Sequence, residues 1–327
     1  MALPKVRSFI GIGKESARPV LGEAPTLADA TDYIPVTTIT PLDNVAYLDD
    51  MGLRGSMTEE YDVIQGRIFS EFEIAGDVFP DTFGYLVAGL MGDVATVGAS
   101  APFTHTISLL NSGTGQPVTY TATDFNGLNS RQFGGLQFAS VDVNFSADAL
   151  LSYTAKAMGY QSVVGSTPTP SFSTVTPVPS WSGSVSIAGS PSIKMAEGNI
   201  AITRTVEPIF TLLDNQRPYQ MFAGPVSVEG AMTFVTESDV ELDYYLNNTK
   251  PIVVVNFTQG TGATLTQVQF TMSKCAFTIA RIERSKDYVE TSVTFKGIAN
   301  TTDGGVSAGF SPIKVILKNA KASGTYV

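Results

Sequence analysis

Two stretches of the chain alternate strictly between apolar and polar positions. Val141, Val143 and Phe145 fall on one side, and Asp142, Asn144 and Ser146 on the other. Further on, Val289, Thr291, Val293 and Phe295 oppose Glu290, Ser292, Thr294 and Lys296. A period of two with one apolar side marks a strand packed on one face and wet on the other. Such patterning predicts strands over 63–79, 103–110 and 118–125, and a long strand over 136–160. It predicts further strands over 224–235, 252–258, 268–278 and 287–298. Strands of about fifteen residues are roughly three times the usual length. That length suits a large barrel wall, or a hairpin reaching a neighbour, better than a small sandwich.

The period changes to that of a helix in two places. Phe83, Leu86, Val87 and Leu90 stand at i, i+3, i+4 and i+7, which predicts a helix over 80–91 with Asp81 as its N-cap and Gly92 as its stop. A second helix is expected over 237–247, with Thr236 as a possible cap. Each helix follows a strand and precedes a strand pair and a long closing strand. The landmark Ile74–Phe79 aligns with Val228–Phe234 at an offset of 154 residues if one insertion is allowed, and Phe138–Val143 resembles Met272–Phe277 in pattern. The repeated order implies an internal duplication; the alternative is two unrelated β domains.

Between the repeats lies VVGSTPTPSFSTVTPVPS, residues 163–180. Pro168, Pro170, Pro177 and Pro179 remove backbone donors and favour an extended path. The expected organisation is an extended N-terminal arm (1–50), a first domain (51–162), this linker (163–180), a second domain (181–311) and a C-terminal tail (312–327).

Composition narrows the class. Charged residues are 15% of the 327, against about a quarter in ordinary globular domains, as fits a subunit covered by neighbours. The net charge of −10 argues against gripping nucleic acid, because phosphate binding is driven by Lys and Arg releasing counterions. An acidic wall that repels phosphate would let DNA slide. The one cysteine, Cys275, allows no intramolecular disulfide and reads as a small core residue. No signal peptide is visible and the longest apolar stretch, near 83–91, is too short to span a bilayer, so the chain is expected to fold in a cytoplasm.

No catalytic set emerges. His105 is the only histidine and sits in a strand pattern, so no Ser-His-Asp or Cys-His arrangement is expected. GIGKES (11–16) resembles a phosphate loop only superficially, lacking a preceding buried strand, GxxxxGK[ST] spacing and a following helix, and reads as a turn or flexible segment. Acidic residues cluster at Asp49-Asp50, at Glu59-Glu60 with Asp62, and over 237–243, where solvated faces are the simpler reading. Glu71 and Glu73 differ, because they share one face of a strand, where like charges repel. No cofactor or metal is expected, and the chain is read as a non-enzyme.

GIGKES, Asp32-Tyr33-Ile34-Pro35-Val36, Leu48-Asp49-Asp50 and Leu53-Arg54-Gly55-Ser56 together resemble the opening of siphophage tail tube proteins. The strand 66–76 leading into Phe79–Leu86 does so too, and 226–300 is similar to that family's core unit. The resemblance implies an all-β fold of two tandem tail-tube-type β-sandwich domains, each with one short helix. It implies long strands that form an inner barrel on oligomerisation. Six units make a ring in that family, so two per chain imply a trimer with pseudo-sixfold symmetry, or else a hexamer. Implied partners are the chain itself, tape measure and tail terminator or tip proteins, and passing genomic DNA without specific binding; no membrane is implied. Its place would be the virion tail, assembled in the host cytoplasm. A tandem β-sandwich adhesin or decoration protein is the alternative. On the tube reading, Glu71, Glu73, Asp142 and Glu229 are expected to face the lumen. Ring-to-ring contacts are expected from the arm, from the segment around Arg54, Glu59, Glu60 and Asp62, and from 312–327.

Overall fold

The computed structural model describes residues 4–212, 215–284 and 286–327; residues 1–3 of the expected arm and 213, 214 and 285 of the expected second domain lie outside it. The first half supplies β1 (Phe9–Lys14), β2 (Asp32–Ile34), β3 (Thr38–Asp50), β4 (Asp62–Asp77), helix α1 (Phe83–Met91), β5 (Gly92–Val97), β6 (Phe103–Leu109), β7 (Tyr120–Phe125), β8 (Ser130–Ser146), β9 (Ser152–Gly159) and β10 (Val163–Gly165). The second supplies β11 (Gly183–Ile187), β12 (Ser190–Ser192), β13 (Met195–Ile209), β14 (Gln220–Val235), helix α2 (Val240–Leu246), β15 (Val253–Gln259), β16 (Thr266–Met272), β17 (Cys275–Glu283), β18 (Glu290–Gly297) and β19 (Lys314–Asn319).

These strands form a two-layer sandwich. One layer contains an unbroken antiparallel row of eight, β3-β4-β9-β8-β13-β14-β18-β17. The N-terminal part of β8 also pairs with β7, which continues to β1 and β2. The other layer has seven strands, β12-β11-β15-β16-β19-β6-β5. Strands from both sides of segment 163–180 therefore meet in both sheets. They also share one main core: Phe72, Ile74, Val141 and Val143 pack in the same cluster as Ile200, Met232, Val293 and Phe295.

The row of eight is a four-strand pattern written twice. β3-β4-β9-β8 is followed by β13-β14-β18-β17 in the same order and sense. The irregularities recur as well. A break in register after Val45 in β3 matches one after Arg204 in β13, and one after Phe138 in β8 matches one after Phe277 in β17. A bulge is a fixed local feature of a strand pair, so shared bulges align the halves residue by residue. β3 maps onto β13 with an offset of 159, β4 onto β14 with 158, β9 onto β18 with 138 and β8 onto β17 with 139. Ile74 thus corresponds to Met232 and Glu71 to Glu229, four residues away from the alignment suggested by sequence landmarks.

Several elements differ from expectation. The long strand over 136–160 is a hairpin, β8 and β9, turned at 147–151 by Ala-Asp-Ala-Leu-Leu, which contains no Gly or Pro. The run 268–278 is likewise divided, between β16 and β17. GIGKES is no flexible turn: its first four residues lie in β1 between β2 and β7. A Cβ on Gly13 would lie 2.1 Å from the Asp29 carbonyl oxygen, so only glycine admits that close approach. The tail over 312–327 is a core element: β19 lies between β16 and β6, and the buried Tyr326 hydroxyl donates to the Asp81 carbonyl at 2.7 Å. At α1 the N-cap position belongs to Thr82 rather than Asp81, and at α2 to Asp239 rather than Thr236, with no side-chain capping bond at either. Gly92 ends α1 as expected, in the left-handed region at φ 90°.

Candidate functional site

The candidate functional surface is the outer face of the eight-strand row. Strand alternation sends Phe72, Ile74, Val141, Val143, Val228 and Met232 into the core. The intervening residues stand on the opposite, polar face. Pairing joins them into rows across strands. One row runs Thr40, Glu73, Lys156, Ser140, Thr203, Ser227; the next runs Thr38, Ala75, Thr154, Asp142, Ala201, Glu229, Lys296. All four sequence-predicted acids, Glu71, Glu73, Asp142 and Glu229, are therefore on this one face, drawn from β4, β8 and β14.

Their environments differ. Glu73 is paired with Lys156 at 3.3 Å and Glu229 with Lys296 at 2.7 Å, so lysines from the adjoining strands partly offset this acid. These pairs are half exposed, so each is worth a fraction of a kcal/mol. Asp142 has its pKa raised, chiefly by partial burial, against the lowering effects of Ser140 and Lys156. Glu71 lies opposite Leu42 on one side and Met158 on the other, and has no ion-pair partner among the described residues. Asp77 and Glu197 add to the acid of the face, while Arg281 on β17 is a base that it carries without an ion-pair partner among the described residues.

Both margins of the row are open edges. Among the described residues β3 pairs only with β4, and β17 only with β18. Unpaired strand edges are liabilities that proteins cover or use. β3 and β4 also run past the body as a hairpin ending in the loop 51–61, which holds Arg54, Glu59 and Glu60 of the expected stacking residues, with Asp62 at the first position of β4. Arg54 is ion-paired with Asp50 and its guanidinium lies 4.7 Å over the Tyr61 ring. Glu59 and Glu60 are exposed, and the Asp62 carboxylate caps the Val63 N–H at 2.8 Å. The hairpin also exposes Leu48, Leu53, Met57 and Ile64, which the charge-based reading passed over.

His105 is fully buried. Its ring lies 2.9 Å from Thr96 Oγ1 and 3.2 Å from Asn319 Oδ1, and burial lowers its pKa. It packs edge-on against Tyr326, well inside the second sheet. No helix among the described residues is long and apolar enough to cross a membrane.

A half-wet sheet with two open edges leaves backbone donors and acceptors with which a further strand can pair. The sequence profile of the phage tail tube proteins matches residues 6–308. The chain belongs to the phage tail tube protein family. No curated protein matches it. Membership makes this a structural component of the phage tail, and the all-β sandwich is the fold expected of a tail tube protein.

Proposed function

We propose that this tail tube protein polymerises into stacked rings through which genomic DNA passes, with three chains per ring. The reading is carried by the twice-written strand row with its two open edges. β8 meets β13 inside the chain, and the corresponding strands β17 and β3 each keep one free edge among the described residues. Repeating that junction between chains adds eight strands per copy and closes a barrel of pseudo-sixfold symmetry from three copies. On this account each half is one copy of a duplicated tube unit, joined through 163–180.

The stagger supports closure. Following a row from Thr38 on β3 leads to Ala201 on β13, which corresponds to Leu42, four residues farther along. The row thus slips one residue per strand. With strands about 4.8 Å apart and a rise of about 3.4 Å, the tilt is about 35°, within the barrel range. Three copies would then enclose a barrel about 45 Å across between backbones.

The polar face lines the lumen in this arrangement, placing Glu71, Glu73, Asp142 and Glu229 toward the DNA. Their repulsion of phosphate acts over about a Debye length, some 8 Å at physiological salt. The 51–61 loop, with Arg54, Glu59 and Glu60, reaches the next ring, as does Asp62 at the start of β4. Tape measure and terminator or tip proteins would occupy the lumen and ends, and the role needs no catalysis or cofactor. Negative-stain images of the purified protein test the reading. Rings or tubes with threefold or pseudo-sixfold end views are expected; persistent monomers at high concentration contradict it.

A further inference from the structure

We infer that the seam between neighbouring chains has a defined register, in which Ile279 of one copy lies opposite Asn44 of the next, Arg281 opposite Leu42, and Glu283 opposite Thr40. The inference rests on the tube reading, and it takes the internal β8–β13 seam as its template. Across that seam Ser140 pairs with Thr203, Asp142 with Ala201, and Asn144 with Asn199. The bulge-aligned offsets of 139 for β8 onto β17 and 159 for β3 onto β13 convert these three pairs into the three above.

Charge supports the same register independently. Glu71 and Glu229 are equivalent residues, yet only Glu229 has a lysine beside it. Lys296 pairs with Glu229, whereas Met158 stands at the corresponding place beside Glu71. Arg281 is exposed, on the polar face, and without an ion-pair partner among the described residues. In the proposed register Arg281, Leu42 and Glu71 form one row, with the charges two strands, or about 10 Å, apart at the backbone. An extended arginine and glutamate can close that gap over Leu42. Inside the chain the matching row reads Asp142, Ala201, Glu229, two acids that the covalent connection holds near each other whatever their repulsion. Opposite charges are thus placed where the partner must be chosen, and like charges where no choice exists.

Cysteine cross-linking tests the register. Directly opposed residues in an antiparallel pair have Cα atoms about 4.5–5.5 Å apart, within disulfide reach. The native Cys275 is buried and does not compete. Assembled protein carrying Asn44→Cys with Ile279→Cys should oxidise to covalent multimers ending at the trimer. The shifted pairs Leu42→Cys with Ile279→Cys, and Ala46→Cys with Ile279→Cys, should stay largely monomeric on a denaturing gel. In parallel, Arg281→Glu or Glu71→Arg alone should raise the concentration needed for assembly on the order of tenfold, and the double exchange should restore it. Tubes that form but cross-link through a shifted pair overturn the register while leaving the tube reading intact. Unsubstituted chains that never assemble overturn both.

Discussion

Helices α1 and α2 occupy matching places, one on β8 and the other on β17, but their surroundings are opposite. All nine residues of α1 are buried. Second-half residues close over it: Arg204 donates to the Leu90 carbonyl at 2.9 Å, Phe270 lies 6.3 Å from Phe83, and Asn319 donates to the Pro80 carbonyl just before it at 2.7 Å. In α2 only Glu241 is buried, while Val240, Tyr245 and Leu246 are exposed. Tyr244 reaches Phe277 of its own half, and among the described residues no further strand follows on β17 to cover the rest. The difference lies in what closes over each helix: α1 is covered by second-half residues from both sheets, Arg204 of β13 and Phe270 and Asn319 of β16 and β19. On the tube account, the first half of a neighbour supplies the cover for α2.

The comparison can be broken most forcefully at α1. Leu86→Ala should cost about 2–5 kcal/mol in denaturant unfolding, the price of a cavity in a closed core. Leu246→Ala should change monomer stability by less than about 0.5 kcal/mol, yet impair assembly in sedimentation. If Leu246→Ala destabilises the monomer as Leu86→Ala does, the two helices are not distinguished as argued.

Arg204 sharpens the contrast. Its guanidinium is buried against the carbonyls of Leu90, Gly115, Ala223 and Gly224 with no carboxylate, and burial pulls its pKa down to about 10. Its counterpart on the open edge is Val45. Arg204→Met should cost about 1–3 kcal/mol, from carbonyls left without donors. Val45→Met should leave monomer unfolding nearly unchanged.

Glu15 fastens the N-terminal segment to the first half by accepting bonds from Thr119 (2.6 Å), Thr121 (2.9 Å) and the Gly135 N–H (2.7 Å). Burial outweighs these bonds and raises its pKa above the ordinary 4.5. A raised carboxyl pKa means that the folded state holds its proton more tightly. The stability it gives is full below 4.5 and is lost as pH rises through the folded value. Wild type should therefore gain stability on Glu15→Gln as pH falls from 7 toward 4. A gap that is constant with pH contradicts this.

The smallest expected effect concerns the lumen. Asp142→Lys should leave tubes intact and slow DNA exit, more so at low salt. Exit kinetics unchanged across salt would remove Asp142 from the lumen.

Much of this was legible because alternation is strict where one face is wet. The parity of Glu71, Glu73, Asp142 and Glu229 follows from it directly. β13 escaped notice because its apolar positions include Arg204, whose buried charge breaks the alternation. β1 escaped because Gly11 and Gly13 read as turn formers, when their role is to admit Ala30 and Asp29. The open edges could not be read at all. Which strands keep a free edge depends on pairing between residues as many as 89 positions apart, as Ser70 and Gly159 are, and no local pattern records it. Arg281 and Leu42 looked ordinary in sequence for the same reason.

The central claim is that two four-strand units in one chain make three chains sufficient to close a ring. Native mass spectrometry of single rings, released from tubes or trapped by the Asn44→Cys and Ile279→Cys disulfide, measures this directly. The account predicts three chains of 34.7 kDa per ring. Six chains per ring, or an open series of masses without closure at three, would contradict it.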